Sequence, residues 1–436
     1  MASYAACFRA RLHSQLATCQ RYVKGLFHAC RSNVERLNER LPDSSYDALH
    51  HFISVSDWDG QAVLDEVARR VQATLAAVTG EQGLLLDECG WEKAGRNSVG
   101  VARPYIGQVG KISNGQVGVF AVLSRGTSAG LVGGHLYLPA DWCAAAGRCA
   151  QARVPVAARP YRSKPALAAA LVEHLLGHGL VQADWVGGDA AYGNAPALRQ
   201  VLQERGQAYV LDVGPGLRLH RADPTPAAAP VWSGQGRPPR RPRPVGVALA
   251  LSELAAQVPA GAWQTLAYRL GHKGPLVRQA VLLPVWRWED AHGGAQPLHL
   301  LISREPDGTH VKYSLCYTPP QAPAPGVKQA LCRQMQRYWM ERVFQEAKQQ
   351  LGLHQNQTRS WPAWQHHVAL TMMALHLLLD TQVGERETIP NLSFASRKLV
   401  LAQKRQNLLH QDEALLAALH QRARANAPKR PQTHSP

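Results

Sequence analysis

Two short apolar segments of this chain each run directly into an aspartate, and this feature limits the folds that are open to it. Leu84-Leu85-Leu86 precedes Asp87, and Val186-Gly187-Gly188 precedes Asp189. Such apolar runs indicate buried strands, and a carboxylate buried without compensation costs several kcal/mol. Divalent cations supply that compensation, because they bind carboxylate oxygens. The two segments therefore indicate core strands that bring acids together around metal ions.

A third acid, Glu341, lies on a segment with helical periodicity. At about 100° per residue, apolar side chains fill one half of the helix, and Glu341, Arg337 and Lys348 fall within about 40° of one another beside it. Glu346 projects about 140° away from Glu341, so it cannot share the same cluster. Glu341 can therefore lie at the border of the core, with basic neighbours placed to hold phosphate. The alternative is a partly exposed acid in an ordinary surface ion pair.

The two aspartates also have simpler interpretations when each is taken alone. Asp87 could cap a turn, and the adjacent Glu88 is a rival for its role. Strand alternation does not choose between them, because both faces of a fully buried strand are apolar. Asp189 precedes Ala190-Ala191-Tyr192-Gly193, which reads as a turn into a helix, so it could equally be an N-cap or an Asx-turn residue.

The charge of the chain indicates a polyanionic partner. Its 436 residues carry 48 Lys and Arg against 31 Asp and Glu, a formal net charge of +17. Residues 234–244 contain four arginines and no acid, and residues 397–436 are also rich in Lys and Arg. A basic surface without a specific partner is the alternative interpretation.

Several other protein classes are disfavoured by the patterns that the sequence lacks. The eight cysteines show no zinc-ligand spacing, which is typical of reduced thiols in a cytosolic protein. The longest apolar run, near residues 368–379, is shorter than the roughly 20 residues that a membrane span needs. The first residues do not resemble a signal peptide. We therefore expect a cytoplasmic protein with no membrane partner.

Periodicity and turn residues predict the order of secondary structure. Residues 1–80 are predicted helical, with Ser56 as one N-cap, and strands and helices then alternate in an α/β pattern. A β-rich segment with a basic Pro/Arg loop follows, and helices resume after it. The predicted strands are 84–86, 99–106, 116–123, 181–186, 208–213, 277–288, 298–303 and 311–317, and the later helices are 165–176, 195–205, 326–351 and 364–380.

The motifs around the acids, in combination, resemble the DDE-type insertion-sequence transposases, in the group with a β-rich insertion between the second aspartate and the glutamate. The resemblance runs from about residue 45 to 380. The motif's tyrosine would fall at Gln334, which is a departure, and whether Tyr338 substitutes for it is open. The segments that match are Leu84-Leu85-Leu86-Asp87-Glu88-Cys89-Gly90-Trp91-Glu92-Lys93, Val99-Gly100-Val101-Ala102-Arg103-Pro104-Tyr105, Gly110-Lys111, Asn114-Gly115-Gln116, Gly188-Asp189-Ala190-Ala191-Tyr192-Gly193, and Glu341 with Arg337 and Lys348.

The resemblance implies a fold and a set of regions. The fold class would be α/β: a ribonuclease-H-like mixed sheet with flanking helices, interrupted by the β-rich insertion and preceded by a helical region. The expected regions are a helical DNA-binding N-terminal region (1–80), the first part of the catalytic core (81–214), the β-rich insertion with its basic loop (215–325), the second part of the core with the Glu341 helix (326–385) and a basic C-terminal region (386–436).

The resemblance also implies a chemistry. Asp87, Asp189 and Glu341 would be the catalytic residues and would hold two Mg²⁺ ions, which Mn²⁺ could replace. The expected activity is metal-dependent cleavage of DNA at the ends of a mobile element, followed by strand transfer into target DNA. The residues expected to contact DNA are Lys348, Arg337, Lys93, Arg103, Lys111, Arg240 and Arg241.

The implied partners are the terminal inverted repeats of the element, target DNA and a second copy of the chain in the DNA complex. Two other functions stay open on the sequence. One is a domesticated DNA-binding protein without catalysis, although retention of all three acids argues against it. The other is a DNA nuclease that cuts without strand transfer. The expected location is the cytoplasm, with nucleoid association when the protein is bound to DNA.

Overall fold

The computed structural model describes residues 2–8, 14–28, 33–41, 44–107, 109–227, 242–271, 273–289, 294–385, 396–397 and 399–400. The helices are α1 (Leu16–His28), α2 (Val34–Glu39), α3 (Tyr46–Ser54), α4 (Gly60–Ala76), α5 (Ala140–Ala144), α6 (Ala146–Gln151), α7 (Lys164–Gly177), α8 (Ala190–Gly193), α9 (Pro196–Glu204), α10 (Leu251–Ala256), α11 (Val327–Met335), α12 (Arg337–Leu351) and α13 (Trp361–Gly384). The strands are β1 (Gln82–Glu92), β2 (Tyr105–Ile106), β3 (Lys111–Ile112), β4 (Gly115–Arg125), β5 (Ser128–Leu136), β6 (Trp185–Gly188), β7 (Tyr209–Val213), β8 (Arg218–Leu219), β9 (Leu249–Ala250), β10 (Gln264–Gly271), β11 (Gly274–Glu289), β12 (Gly294–Arg304) and β13 (Lys312–Tyr317).

The chain divides into two compact units. The first unit contains the described residues within 1–82, 87–183 and from 339 onward, and the second contains 83–86 and 184–338. Strand β1 contributes residues to both units, since its first apolar residues belong to the second unit and its later residues belong to the first.

Side-chain caps begin the helices at the start of the first unit. Asn33 accepts a hydrogen bond from Arg36 N and Ser45 accepts one from Ala48 N, so the helical prediction for this region is confirmed with a break between α2 and α3. The predicted cap at Ser56 is wrong, because Asp59 caps α4. The Ser56 hydroxyl instead lies 3.1 Å from Gln15 Oε1, a residue far away in the sequence.

Strand β5 was not predicted, and its glycines explain the omission. It pairs with β4 in antiparallel register, so that Phe120 faces Gly134. A Cβ atom at Gly134 would lie 2.5 Å from the Phe120 ring, and one at Gly130 would lie 2.9 Å from Leu379 on α13. Glycine weakens a strand by itself, but here it lets a bulky side chain approach the backbone. Because glycine has no side chain, the apolar alternation that predicts strands does not identify β5.

The second unit contains a mixed sheet with the strand order β10-β11-β12-β13-β7-β6-β1. Strands β1, β6 and β7 are parallel, while β7 and all strands of the insertion pair in antiparallel register. The insertion is β-rich, as the sequence predicts, and it extends the sheet because β13 pairs with β7. In the first unit, β1 is followed by β4 and β5. The α/β fold class, a mixed sheet with flanking helices, is confirmed.

Three predicted elements have different bounds in the structure. The helix expected over 326–351 is two helices, because the Gln336 N–H bonds to both Cys332 O and Arg333 O at a turn between α11 and α12. The strand expected over 181–186 is limited to β6, since the N–H groups of Leu180 and Val181 both bond to Leu175 O and close the end of α7. Of the strand expected over 99–106, only β2 forms.

Helix α13 is buried along most of its length. Its histidines bond to other parts of the first unit: His366 to Ile53 O and Trp58 O, His367 to Gly352 O, and His376 to the Tyr4 hydroxyl. These contacts make them structural core residues. Among the described helices, none is both long and apolar enough to cross a membrane.

Candidate active site

The sequence suggested that Asp87 ends a strand, but in the structure Asp87 lies within β1. Strand β1 continues through Glu92, and burial falls at Asp87 after the fully buried Leu84-Leu85-Leu86. Its Oδ1 atom accepts a hydrogen bond of 2.7 Å from the backbone N–H of Glu88. The pairing of β1 with β6 ends at Leu86, so Asp87 is the first residue beyond the parallel pair.

The rival acid Glu88 is held in an ion pair. Lys164, at the start of α7, places its Nζ atom 2.6 Å from Glu88 Oε1, and the two side chains are 26% and 31% exposed. Both residues belong to the first unit. This ion pair gives Glu88 a structural partner.

Asp189 is the N-cap of α8. Its Oδ1 atom accepts hydrogen bonds from Ala191 N at 2.9 Å and from Tyr192 N at 3.4 Å. Its Oδ2 atom accepts no hydrogen bond from any residue that the structure describes. The capping role and a metal-binding role are therefore compatible, because each uses a different carboxylate oxygen.

The register of the parallel strands relates the two aspartates through the backbone. Leu86 on β1 and Gly188 on β6 are partners in this pairing, within the second unit. Asp87 is the residue after Leu86, and Asp189 is the residue after Gly188. Because the strands run parallel, the two acids follow the same end of the paired stretch.

Glu341 and Glu346 have different environments on α12. Glu341 is exposed, whereas Glu346 is half-buried and pairs with Arg342 at 3.2 Å. Burial raises the pKa of Glu346, and the nearby Arg397 and Arg342 oppose this rise. Glu346 thus has a local cationic partner, while the Glu341 carboxylate faces solvent.

The three acids fit a divalent cation by their chemistry. Mg²⁺ prefers oxygen ligands, and the open Oδ2 atom of Asp189 is of that type. Within the part of the chain that the structure describes, however, no group of three or more His, Cys, Asp or Glu side chains is gathered closely enough to hold a metal ion. That Asp87, Asp189 and Glu341 share ions is therefore a proposal.

Lys348 lies beside the strand that carries Asp87. Its Nζ atom is 3.4 Å from the carbonyl oxygen of Gly90, and it also approaches the Cys89 thiol. Burial raises the pKa of that thiol to about 11; the Lys348 ammonium group opposes the rise, and Asp87 adds to it. Lys348 and Asp87 therefore both act electrostatically on one buried residue of β1.

A buried hydrogen-bond chain explains the departure at Gln334. The Gln334 side chain accepts from Ser303 Oγ at 2.6 Å and donates to Ser314 Oγ at 2.7 Å. Ser314 Oγ donates to Asp212 Oδ1 at 2.5 Å, and Asp212 Oδ2 accepts from Arg337 Nη1 at 3.0 Å. Gln334 is thus a core residue of the second unit, and Arg337 is held in an ion pair there.

Tyr338 differs from the buried Gln334 in its exposure. Its ring is partly exposed, and the Arg269 guanidinium group lies 3.7 Å from the ring centroid in a cation–π contact. Within the second unit, Tyr338 is thus a partner of Arg269.

The other residues expected to contact DNA fall into three groups. Lys93 is largely buried, where burial lowers its pKa to about 8, and it donates to the backbone oxygen of Asn356. Arg103 is exposed just before β2, and Lys111 is exposed on β3; these two strands form a hairpin. Arg240 and Arg241 lie outside the described residues, as do most of the basic loop and of the C-terminal region.

Sequence reasoning did not identify Arg199, a fully buried arginine near Asp189. Its Nη1 atom donates a hydrogen bond of 2.5 Å to Gly193 O, at the end of the turn that Asp189 caps. Its Nη2 atom lies 3.3 Å from Glu289 at the end of β11. Arg199 thereby ties the turn after Asp189 to the β-rich insertion. Its partner Glu289 is 90 residues away, so no local pattern indicates the pair.

A family model and a sequence relative that match this chain agree with the resemblance. Residues 5–275 match a family model described as DDE superfamily endonuclease. A probable transposase for insertion sequence element IS701 from Microchaete diplosiphon is 29% identical over 183 residues, which are 39% of this chain and 43% of that protein. The cryo-EM structure of a piggyBac transposase synaptic complex with hairpin DNA aligns with a TM-score of 0.41 and 14% identity, covering 98% of this chain and 80% of that one. The match to the IS701 protein thus spans less than half of that relative.

Proposed function

Because this chain belongs to the DDE superfamily endonucleases, we propose that it is a transposase that cuts DNA at the ends of a mobile element and transfers them into target DNA. The observation that carries the proposal is the parallel register, since Asp87 and Asp189 directly follow the partner residues Leu86 and Gly188. The name of the IS701 relative and the net charge of +17 support DNA as the substrate.

In this proposal the catalytic residues are Asp87, Asp189 and Glu341, which would hold two Mg²⁺ or Mn²⁺ ions. When bound, such ions activate the attacking oxygen and stabilise the leaving oxygen during in-line displacement at phosphorus. Asp189 contributes a carboxylate oriented by the N–H groups of α8, and its Oδ2 atom stays open for ligation. Helix α12 presents Glu341 to solvent, where an ion can reach it.

Lys348 would bind the DNA backbone next to the cut. Its Nζ atom lies near the carbonyl oxygen of Gly90 on β1, and Gly90 is three residues after Asp87. The ammonium group of Lys348 can donate to a phosphate oxygen. Arg337, Lys93, Arg103, Lys111, Arg240 and Arg241 are proposed as further DNA contacts. For Arg337 and Lys93, binding phosphate would require opening the bonds to Asp212 and to Asn356 O.

The proposed partners follow from the chemistry. The DNA ligands are the terminal inverted repeats of the element and a target duplex, and two copies of the chain would assemble on the paired ends. We propose that the protein is cytoplasmic and associates with the nucleoid when it is bound to DNA.

Substitution of single acids tests the assignment. Asp87→Asn, Asp189→Ala and Glu341→Gln should each abolish Mg²⁺-dependent cleavage of a labelled duplex carrying the repeats that flank the reading frame. Glu88→Gln is the matched control for Asp87, because it removes the neighbouring carboxylate together with an ion pair that is partly exposed and worth about 1 kcal/mol or less. Binding of the duplex in a gel-shift assay should be retained in all four variants.

The outcomes separate the possible functions. Cleavage without joined products in the wild type would indicate a nuclease that lacks strand transfer. Binding without cleavage would indicate a DNA-binding protein that has lost catalysis. Full cleavage by Asp189→Ala would refute the assignment of that residue, and retained cleavage in Glu341→Gln with loss in Glu346→Gln would move the third ligand to Glu346.

A further inference from the structure

A fully buried arginine, Arg199 on α9, holds the end of the turn that Asp189 caps. Its side chain is 1% exposed, and its Nη1 atom donates to Gly193 O. Gly193 is the last residue of α8, and the first N–H groups of this short helix bond to the Asp189 carboxylate. Asp189 therefore holds the beginning of a four-residue turn, and Arg199 holds its end.

The same turn packs closely against two strands of the second unit. A Cβ atom at Gly193 would lie 1.9 Å from the backbone oxygen of Asp212, so the absence of a side chain lets the turn approach β7 directly. Tyr192 is fully buried, and a Cβ atom at Gly188 on β6 would lie 3.1 Å from the Tyr192 Cβ. The turn is thus fixed by backbone packing against β6 and β7 and by the side chain of Arg199.

Glu289 holds the guanidinium group of Arg199 in place. The Nη2 atom of Arg199 lies 3.3 Å from Glu289 Oε1, and the same oxygen accepts from Arg287 Nε at 2.7 Å. Burial lowers the pKa of Arg199; the positive charge of Arg287 adds to this effect, and Glu289 opposes it. Glu289 ends β11, so the β-rich insertion supplies the charge that keeps a buried arginine beside the turn.

The burial of Arg199 indicates a positional role. A buried ion pair is weak evidence for stability, because the removal of two charges from water offsets their attraction. An apolar side chain would fill the same space without that cost. A guanidinium group, however, presents several donors in a fixed plane, so Arg199 can bond to Gly193 O and Glu289 together. This contact joins the turn to the insertion in one geometry.

We propose that Arg199 is a positioning residue for Asp189: it holds Gly193, and so fixes the turn whose N–H groups orient the Asp189 carboxylate. The Asp189 Oδ1 atom accepts from Ala191 N and Tyr192 N, so a shift of the turn carries the carboxylate with it. The Oδ2 atom, which is open for ligation, is thereby held in one place for an ion. This inference rests on the proposed function, in which Asp189 binds metal ions.

Arg199→Lys and Arg278→Lys form a matched pair of substitutions. Arg278 is also buried in the second unit, and it likewise contacts one glutamate, Glu305, and one backbone oxygen, that of His310. It lies near the start of β11, whereas Glu289 ends that strand. Lysine keeps the charge but cannot reproduce the forked guanidinium geometry. A general loss of packing is common to both variants, so a difference between them reports on the turn.

Hydrogen exchange in peptides covering residues 189–194 tests the positioning without DNA or metal. The N–H groups of this turn should exchange several-fold faster in Arg199→Lys than in the wild type, because local opening of the turn then costs less free energy. In Arg278→Lys these peptides should exchange as they do in the wild type. Unchanged exchange in Arg199→Lys would overturn the proposal.

Mn²⁺ titration of the full chain without DNA, followed by the EPR signal of the free ion, tests the consequence for ligation. Arg199→Lys should weaken Mn²⁺ binding by about 10-fold, the lower end of the effect of residues that orient metal ligands. The Mg²⁺ concentration for half-maximal cleavage should rise by a similar factor, while the rate at saturating Mg²⁺ stays near that of the wild type. Arg278→Lys should change neither quantity. Unchanged Mn²⁺ binding in Arg199→Lys, beside weaker binding in Asp189→Ala, would leave Arg199 as a structural contact and refute the proposal.

Glu289→Gln tests the part played by the insertion. Glutamine keeps an oxygen acceptor but removes the negative charge that holds Arg199. This variant should weaken Mn²⁺ binding less than Arg199→Lys does. The double variant should bind Mn²⁺ as Arg199→Lys does, because both substitutions act through one contact. If the two effects multiply instead, Glu289 acts independently of Arg199, and its part in the proposal is refuted.

The two assays separate this inference from the proposed function. If Asp189→Ala binds Mn²⁺ as tightly as the wild type, the assignment of Asp189 as a metal ligand fails, and hydrogen exchange alone decides whether Arg199 positions that residue. If Asp189→Ala loses Mn²⁺ binding and cleavage, but Arg199→Lys changes neither the exchange of the turn nor Mn²⁺ binding, only the positioning inference fails.

Discussion

Replacement of Gln334 by leucine would break the buried polar chain that ends at Arg337. Gln334 is 3% exposed, and Ser303 and Ser314 beside it are fully buried. Leucine is similar in size and has no polar atoms, so the substitution removes both side-chain hydrogen bonds of Gln334 without opening a large cavity. Ser314 keeps its bond to Asp212, but the Ser303 hydroxyl loses the acceptor of its 2.6 Å bond.

The expected loss of stability follows from this one orphaned hydroxyl. A buried donor left without a partner costs about 1–3 kcal/mol. Gln334→Leu should therefore lower the unfolding free energy by roughly that amount. Ser303→Ala, added to Gln334→Leu, should recover part of the loss because it removes the unpaired hydroxyl, although Ser303→Ala alone should destabilise the wild type. The two substitutions should thus be strongly non-additive.

Urea unfolding of the four proteins measures these differences, and hydrogen exchange in peptides of β12 and β13 reports on the second unit alone. Protection of these peptides should fall in Gln334→Leu and recover in the double variant. A loss below about 0.5 kcal/mol for Gln334→Leu, or losses that simply add, would refute the reasoning, because surface substitutions have effects of that size.

Three further predictions concern pH, catalysis and salt. Burial lowers the pKa of His367 to about 4 from 6.5, so the unfolded chain binds more protons between these values and stability should fall as the pH drops through this window. His367→Gln should flatten the dependence of the urea midpoint on pH, and equal slopes would contradict the prediction. Lys348→Gln should weaken binding to element ends by roughly 1.5–3 kcal/mol and reduce cleavage; unchanged binding and cleavage would leave Lys348 only its contacts with β1. Replacing the four arginines of residues 234–244 by glutamine should flatten the log–log salt dependence of DNA binding, by about 0.9 for each phosphate that the loop no longer neutralises, and an unchanged slope would mean that this loop does not touch DNA.

The local patterns of the sequence determined most elements of the fold. Apolar periodicity predicts the N-terminal helices, because the residues that carry this signal lie within a few positions of one another, although the cap predicted at Ser56 is wrong. The apolar run before Asp87 predicts the buried part of β1, and the predicted strands of the insertion correspond to β11, β12 and β13. Strand β5 was missed because its glycines are explained only by Phe120 and Leu379 packed against them.

The sequence by itself also indicated Asp87 and Asp189 as candidate site residues, since each directly follows an apolar run, and each of these runs is a buried strand in the structure. Only the tertiary structure determined the ion-pair partners of the charged residues near these acids. Glu88 pairs with Lys164, which is 76 residues away, and Arg337 pairs with Asp212, which is 125 residues away. Partners at such separations are chosen by the packing of whole strands and helices, and no pattern within one segment encodes that choice.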